Sequence, residues 1–367
     1  MKKEDLFMKK FFLLIFIFCF GCHIPSKVAM EGSGGRTAYN MEMQKTNAEE
    51  MLLNLVRLRY SDSPVFLEVS SVTSTFTFKN SIAANVNIPG FNQTNPMQLG
   101  GETLWQTQPT IQYIPLEGQE FNNKLMEPLS VHIIQKLIYS GWDIDRIFLL
   151  TLHSFNEFQN FPAREICNEK KRMSNFENFF YLSNLMRKLQ KDGQLQIGIR
   201  EIKENDCYKK ILQFAFPTNH ELAKEIAAIL NCKEPVNGKY VINIDEGFDE
   251  KGNVGILPRS LLSCMYYLSN NVLVPEDDVR QKTVKDCRTD KSEKTKKRYK
   301  ELLIIKNCNT LPKNYYIAVK YRNSWFYISD NDINSKKTFM LLLELFNIQS
   351  GKRENTGPIL TLPIGVG

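Results

Sequence analysis

Length and composition are those of a folded globular protein. Of the 367 residues, 43% are hydrophobic and 24% are charged, which excludes an intrinsically disordered chain and leaves room for one large domain or two ordinary ones. Much of the net charge of +7 lies in residues 280–300, where ten lysines and arginines face three acids. We interpret this stretch as a solvated loop, with contact to anionic lipid or polysaccharide as the alternative.

The amino-terminal residues have the pattern of a bacterial lipoprotein leader. Four lysines among the first ten residues precede an uncharged apolar run from Phe11 to Gly21, which is too short to span a bilayer as a helix. The run ends in Cys-Phe-Gly-Cys at 19–22, which resembles a lipobox. The resemblance implies that residues 1–21 are a signal peptide, and that Cys22 carries a diacylglycerol and a second acyl group of the palmitate type.

The predicted lipid anchor also predicts that the protein is located at a membrane of the cell envelope. Several acyl chains on one residue hold a protein at a membrane far more firmly than a single chain does. His23, and not Asp, follows the modified cysteine, so the lipobox resemblance implies the periplasmic face of the outer membrane. An ordinary secretory leader is the alternative, and Met8 is an alternative start. Export also argues against a nucleic-acid partner for the basic stretch.

Hydrophobic periodicity predicts an α+β fold, because helical and strand patterns follow one another without strict alternation. Thr46 and Glu49 form a capping box that opens a helix whose apolar face is Met51, Leu52, Leu55, Val56 and Leu58. The predicted segments are a tether at 22–43, a main domain at 44–275, a basic disordered loop at 276–300, and strands and a helix at 301–367 that pack on the main domain.

A β-rich segment at 65–115 interrupts the predicted main domain. Its β-branched and aromatic composition predicts strands at 65–78, 81–88 and 109–116, joined by a polar Gln/Asn/Gly/Pro loop at 87–108. A loop of that length inside a compact domain is usually functional or disordered.

The rest of the chain is predicted to be mostly helical. Apolar residues at helical spacing mark each helix, including an aromatic stripe at Phe176, Phe179 and Phe180 that we interpret as core. The predicted helices are 118–139, bent near Pro128, then 143–155, 174–190, 219–231, 258–269 and 336–346. The predicted strands are 194–203, 209–216, 239–245, 301–306, a hairpin at 315–328 that turns at Arg322-Asn323, and a tail strand at 358–363.

Cysteine usage fits an exported protein but does not fix a disulfide pattern. Six cysteines follow Cys22, which allows 15 pairings, and no CxxC motif occurs. Cys287 and Cys308 flank the basic loop, where a bridge would close it. Cys264 lies in an apolar helical pattern and is predicted to be a buried free thiol.

No pattern in the sequence predicts catalysis, a cofactor or a metal. The histidines His132, His153 and His220 have no neighbours at metal-ligand spacing, and nucleophile, phosphate and dinucleotide motifs are missing from the sequence. Three polar groups have structural interpretations. We interpret Asp330–Asn334 as a capped turn rather than a calcium loop. We interpret Asp245, Glu246 and Asp249 as a solvated turn, and Arg57 and Arg59 with Asp62 as a structural charge cluster.

Four stretches together resemble one family of uncharacterised bacterial envelope lipoproteins. They are "LLNLVRLRYSDSPVFLEVSSV" at 52–72, "PTIQYIPLEGQEFNNKLMEPL" at 109–129, "SGWDIDRIFLLTLHSFN" at 140–156 and "AVKYRNSWFYISDNDINSKKTFMLLLELFNIQ" at 318–349. The resemblance implies an envelope location and many members with lipobox leaders. It implies no activity, ligand or site residue.

These observations predict a lipid-anchored scaffold or assembly subunit of the cell envelope that binds other envelope proteins or itself. One alternative is a homo-oligomeric membrane pore built from the 65–115 hairpin, because the strand at 65–78 exceeds the 9–11 residues that a membrane strand needs. Glu68 and the polar residues 70–75 count against it, since they break any continuous apolar row. A hydrolase acting on envelope polymers is a further alternative.

Overall fold

The computed structural model describes residues 36–82, 101–160, 170–204, 207–247, 254–284 and 302–350. Within them, one compact unit takes the residues up to Asn47 together with Val69–Tyr113, and a second, larger unit takes Ala48–Glu68 together with the residues from Ile114 onward. Helices and mainly antiparallel strands follow one another in mixed order, so the predicted α+β fold class is confirmed.

The described residues hold nine helices. They are α1 (Arg36–Arg59), α2 (Gln119–Met126), α3 (Val131–Tyr139), α4 (Ile144–Thr151), α5 (Lys170–Lys191), α6 (Glu221–Ile229), α7 (Leu261–Ser269), α8 (Glu276–Arg280) and α9 (Ile333–Ser350). Helix α8 occupies the first residues of the segment that the sequence assigns to the basic loop.

The described strands form three sheets. They are β1 (Leu67–Ile82), β2 (Gly101–Pro115), β3 (Leu152–Phe155), β4 (Phe158–Gln159), β5 (Gln196–Glu204), β6 (Cys207–Pro217), β7 (Lys239–Glu246), β8 (Val254–Pro258), β9 (Lys306–Cys308), β10 (Tyr315–Tyr321) and β11 (Ser324–Ser329). The sheet orders are β1-β2, β10-β11-β9 and β4-β3-β8-β7-β6-β5. Pairing is antiparallel in the two larger sheets except between β7 and β8.

Apolar stripes bury the helices of the larger unit against its sheets. On α1 the predicted face is confirmed, since Met51, Leu52, Leu55 and Val56 are buried. At the centre, the Phe148 ring of α4 lies 5.7 Å from Phe155 of β3 and 6.1 Å from Phe214 of β6, measured between ring centroids. Burial of such aromatic rings supplies much of the stability of a core. On α5, Phe176 and Phe179 are buried and Phe180 is packed against the core, as predicted.

Three predicted helices are wrong in their extent. Thr46 and Glu49 do not open a helix, because α1 begins at Arg36 and the Thr46 hydroxyl donates to the Met43 carbonyl of the same helix at 3.0 Å. The helix predicted at 118–139 is two helices, α2 and α3, because Pro128 cannot continue a helix and instead forms a β-bridge with Ser260. The helix predicted at 143–155 ends at Thr151, and the chain continues as β3, which pairs with β8. Strand β8, at 254–258, was missed because its five residues give too short a pattern to recognise.

The β-rich segment is more regular than predicted. Strand β1 runs unbroken to Ile82, so a separate strand beginning at 81 is wrong, and residues 101–108, predicted as loop, belong to β2. Gly101 is unfavourable in a strand, but Thr103, Trp105 and Thr107 favour one, and this signal was overlooked among the polar residues around it. The remainder of the predicted loop, 83–100, lies outside the described residues.

Two predicted local motifs are confirmed. The hairpin turns at Arg322-Asn323, with Tyr321 paired to Ser324 and Arg322 in the left-handed region at φ 51°, as a two-residue hairpin turn requires. The turn before α9 is capped as predicted, but by Asp332 and not at Asn334-Ser335, so the helix begins at Ile333, three residues before the predicted start. The Asp332 carboxylate accepts hydrogen bonds from the Ser335 amide at 3.1 Å and from its hydroxyl at 2.6 Å.

Candidate functional site: the root of the β1–β2 hairpin

The hairpin of β1 and β2 is a sheet of only two strands in the described part of the chain. Its strands have 16 and 15 residues, which corresponds to about 50 Å of extended chain. Strands of about five or six residues are usual, and an isolated two-stranded hairpin is marginally stable in water. Each outer edge of such a sheet presents a row of unpaired N–H and C=O groups, which is a template for another strand.

We call the residues that lead into and out of this hairpin the hairpin root: Glu50, Asn54, Val65–Leu67, Leu116, Phe121 and Phe346. All of them belong to the larger unit. The Leu116 amide donates to the Phe66 carbonyl at 2.9 Å, which extends the pairing of the two strands into the root.

The Asn54 side chain binds the Val65 backbone as a neighbouring strand would. Its Nδ2 donates to the Val65 carbonyl at 2.7 Å, and its Oδ1 accepts from the Val65 amide at 3.0 Å. Asn54 is fully buried on α1, five residues before the helix ends, and a buried amide without partners is costly. Arg57 Nη1 also donates to Asn54 Oδ1, at 3.3 Å, which holds the amide in this orientation. The chain is thus fixed two residues before β1 begins.

Glu50 binds the backbone of the same segment two residues further on, at Leu67. It lies one helical turn before Asn54 on α1, and its Oε1 accepts from the Leu67 amide at 2.9 Å. Burial raises the pKa of Glu50, while the Leu67 hydrogen bond and the charge of Arg57 act in the opposite direction. Two side chains at i and i+4 therefore hold alternate residues of the chain that enters the hairpin.

Phe66 adds an apolar anchor between these polar contacts. Its side chain is 3% exposed and stacks on Phe346 of α9, with ring centroids 4.9 Å apart and an interplanar angle of 26°. Phe121 of α2 meets the same ring edge-on at 5.7 Å. Side chains of three helices, α1, α2 and α9, therefore hold the chain at the hairpin root.

A second buried polar cluster lies around Arg259, and its geometry is structural. The Arg259 guanidinium donates to the carbonyls of Leu149 and Leu150, both at 3.1 Å, at the carboxyl end of α4. It also lies 4.0 Å from the ring centroid of Tyr267, in a cation–π contact. A cation at the carboxyl end of a helix satisfies its last carbonyls and complements its dipole.

The cysteines are distributed as follows. Cys22, the predicted lipidation site, lies outside the described residues, as do Cys167 and Cys287. Cys264 is a buried free thiol, as predicted; burial raises its pKa to about 12, and its Sγ donates to Leu150 O at 3.3 Å. Cys308 is also a free thiol, so of the pairings that the sequence left open, those that include Cys308 are not formed. Burial raises the pKa of Cys232 to about 11, which leaves it protonated and a poor nucleophile at neutral pH.

The remaining residues singled out in the sequence do not converge. His132 is exposed, His153 is half-buried, and His220 Nε2 lies 3.5 Å from Asp192 Oδ2. Searching the described residues for three or more His, Cys, Asp or Glu side chains able to hold a metal ion found no such group. Asp249 lies outside the described residues, and nothing is described of the side chains of Asp245 and Glu246.

The predicted cluster of Arg57 and Arg59 with Asp62 needs correction. Asp62 accepts a hydrogen bond from the Tyr321 hydroxyl and lies 3.9 Å from Arg322 Nη2, so its charged neighbour comes from the β10–β11 turn. Arg59 is buried and donates from Nε to the Val272 carbonyl at 3.3 Å. Spacing along α1 alone could not reveal partners that lie more than 200 residues away in the chain.

Comparison with known proteins adds no assignment. A scan against protein-family models found no match, and searches of the curated proteins and of the solved structures found none either. The resemblance to envelope lipoproteins therefore stays a prediction. None of the described helices combines the length and the apolar character needed to cross a bilayer.

The sequence contained a signal for the hairpin root that our predictions did not use. Asn54 falls on the apolar face of α1, three residues after Met51 and four before Leu58, and Glu50 lies four residues before it. A polar residue on a buried face requires a polar partner. The identity of that partner, the backbone at the start of β1, became evident only in the structure.

Proposed function

We propose that this protein is a lipid-anchored scaffold or assembly subunit of the bacterial cell envelope, and that it binds protein partners by strand addition to its β1–β2 hairpin. The observation that carries the proposal is a two-stranded sheet of 16 and 15 residues that pairs with no further strand among the described residues. Strand addition gives affinity through main-chain hydrogen bonds and requires an accessible edge of this kind.

The hairpin root supports this role. A hairpin that binds a partner must be held by its own domain, because otherwise binding would also have to order the segment that leads into it. Asn54 and Phe66 provide that hold, through backbone hydrogen bonds and ring packing respectively. Glu50 adds a third hydrogen bond to the backbone of this segment.

The envelope location and the anchor rest on the leader. Residues 1–21 and the Cys22 lipobox support attachment at the periplasmic face of the outer membrane. The predicted tether at 22–43 is wrong in its last residues, because helix α1 begins at Arg36. Cys22→Ser should move the protein from the detergent phase to the aqueous phase in phase partitioning. A variant that stayed in the detergent phase would contradict the lipid anchor.

A second candidate function is a pore subunit in which hairpins of several copies join. Strand length favours it, since both strands exceed the 9–11 residues that a membrane strand needs. The mass of the lipidated protein in mild detergent separates the candidates. A closed ring of many copies supports the pore, whereas a monomer or a dimer supports the scaffold.

The test of the scaffold is removal of the hairpin with the root left intact. Residues 70–112 are replaced by Asn-Gly, a sequence suited to a two-residue hairpin turn. We expect the variant to keep the thermal unfolding midpoint of the larger unit and to lose its crosslinks to envelope partners. The control is deletion of residues 285–298 from the basic loop, which should keep those crosslinks. Unchanged crosslinking in the hairpin variant would refute the proposed function.

A further inference from the structure

The directions of the backbone groups along the hairpin follow from the contacts at its root. The Leu116 amide donates to the Phe66 carbonyl, so these two residues face each other across the strands. In an antiparallel pair, the N–H and C=O groups of such a residue point to the partner strand, and those of its neighbours point to the outer edge. Val65 and Leu67 follow this alternation, because their backbone groups bind side chains of α1 instead of β2. The odd-numbered residues of β1 therefore present their backbone groups at its outer edge.

The two outer edges of the hairpin differ in the donors that they offer. Counted out from the root, the same register places the first residue of β1 opposite Pro115 and the last but one opposite Gly101, so the strands pair from end to end. Pro109 and Pro115 are odd-numbered, which places their nitrogens at the outer edge of β2, and proline has no N–H to donate there. The outer edge of β1 offers a donor and an acceptor at every odd-numbered residue from Val69 to Ser81.

Helix α9 brings the chain to the start of this edge. Its Phe346 ring stacks on the Phe66 ring with centroids 4.9 Å apart, and Gln349 Nε2 donates to the Lys124 carbonyl of α2 at 3.2 Å. The helix ends one residue after Gln349. Residues 351–367, which we call the carboxyl-terminal tail, therefore continue from the hairpin root.

The carboxyl-terminal tail has two parts of different composition. Residues 351–357, "GKRENTG", are polar and charged, whereas residues 358–366, "PILTLPIGV", are mostly apolar with the composition of a strand. The predicted strand at 358–363 lies outside the described residues. A polar part of this length spans about 23 Å when extended, so the apolar part can reach the outer edge of β1 beyond Leu67. A row of apolar residues needs a covering surface, and an unpaired strand edge supplies hydrogen-bond partners as well.

We infer that residues 358–366 pair as a third strand with the outer edge of β1, and that an envelope partner displaces them when it binds the hairpin. This inference rests on the proposed function, because it names what controls access to the hairpin edge. Pro363 has no N–H, so its nitrogen points away from β1. Leu360, Leu362 and Ile364 then supply the backbone groups that pair with β1, because alternate residues of a strand face the same neighbour.

The test is hydrogen exchange resolved to single residues, measured on the lipidated mature protein in mild detergent. Leu362→Pro removes an N–H that faces β1, whereas the matched control Thr361→Pro removes one that points away. Both prolines suit an extended backbone. Leu362→Pro should raise the exchange rates of the outer-edge amides of β1, such as those of Ser71, Thr73 and Thr75, roughly ten-fold, and Thr361→Pro should leave them within about two-fold.

Deletion of the carboxyl-terminal tail provides a second variant. The deletion should speed exchange at the outer-edge amides at least as much as Leu362→Pro does, and a peptide of residues 351–367 added in excess should slow it again. The amides of Val72 and Ser74, which face β2, should change less in the same measurement. Three results would each overturn the inference: fast exchange of the outer-edge amides in the unmodified protein, equal rates in the two proline variants, or equal effects of the deletion on both sets of amides.

Protein concentration identifies the occupant of the edge. The tail belongs to the same chain, so protection of the outer-edge amides should be the same in dilute and in concentrated samples. Protection that rises with concentration would assign the edge to a second copy and overturn the inference.

The outcomes also separate this inference from the proposed function. If removal of residues 70–112 abolishes crosslinks to envelope partners while the two proline variants exchange equally, the edge is open to the partner, and only the pairing of the tail falls. If the proline variants differ as expected but removal of the hairpin leaves the crosslinks unchanged, the tail covers the edge and the proposed function falls. If both hold, deletion of the tail should increase the crosslinks, because it frees the edge.

Discussion

Replacement of Asn54 by alanine tests the hairpin root most directly. The substitution removes the Nδ2 donor to the Val65 carbonyl and the Oδ1 acceptor of the Val65 amide, and it leaves the rest of α1 in place. Because Asn54 is fully buried, water does not compete for the hydrogen bonds of its amide. Val65 is 50% exposed, so its backbone groups can recover part of the loss by bonding to water.

The expected magnitude follows from these two contacts. Each hydrogen bond contributes about 0.5–1.5 kcal/mol net, so the pair is worth about 2 kcal/mol. Alanine also has a higher helix propensity than asparagine, by about 0.6 kcal/mol, which offsets part of the loss. We therefore expect Asn54→Ala to lower the free energy of unfolding by about 1.5 kcal/mol. Asn54→Asp should destabilise more, because it places a carboxylate against the Val65 carbonyl.

Denaturant unfolding of the larger unit, combined with hydrogen exchange at the Val65 amide, measures the effect. The matched control is Asn347→Ala on α9, where the side chain is exposed and only the propensity gain applies. Asn347→Ala should be neutral or stabilising by about 0.5 kcal/mol. Equal unfolding free energies for the Asn54 and Asn347 variants, or unchanged exchange at Val65, would refute the assigned role of Asn54.

Three further predictions concern side chains with defined environments. Burial raises the pKa of Glu50, so the charged carboxylate opposes folding at neutral pH. Glu50→Gln, which is neutral, should therefore unfold at pH 7 with a free energy at least as high as that of the unmodified protein. This advantage of the Gln variant should disappear as pH falls through the raised pKa, because Glu50 is then neutral as well, and denaturation at several pH values would show it. Cys264 should resist a thiol reagent at pH 8 in the native state while Cys308 reacts, as mass spectrometry would detect. Asp332→Ala should lower the unfolding free energy by about 1 kcal/mol through loss of the α9 cap, whereas Asp330→Ala, which removes a surface ion pair, should change it by less than about 0.5 kcal/mol.

Local signals in the sequence were sufficient for several elements. The apolar face of α1 and the aromatic stripe of α5 repeat at helical spacing, so burial of one side is enough to fix the helix. The turn at Arg322-Asn323 is similarly local, because two residues between alternating apolar runs leave few backbone solutions. In each of these places the residues that determine the structure are neighbours in the chain.

Prediction failed where the determining contact lies far away in the chain. Strand β8 is five residues long and exists because β3 and β7 lie on either side of it. Residues 101–108 carry Thr103, Trp105 and Thr107 at alternate positions, a strand pattern that the flanking glycine and glutamines obscured, and they belong to β2. Pairing between distant strands is set by the whole ladder and only weakly by the residues of one strand.

The hairpin root combines both situations, because the spacing of Glu50 and Asn54 is local to α1 while Phe346, which packs on Phe66, lies far away in the chain. Two polar residues at i and i+4 on a buried helix face require partners spaced along a line, and an extended chain supplies them at alternate residues. Val65 and Leu67 are such alternate residues, with Phe66 between them packed against Phe346. The spacing along α1 therefore matches the period of a strand, so the same helix that begins the larger unit also fixes where β1 starts.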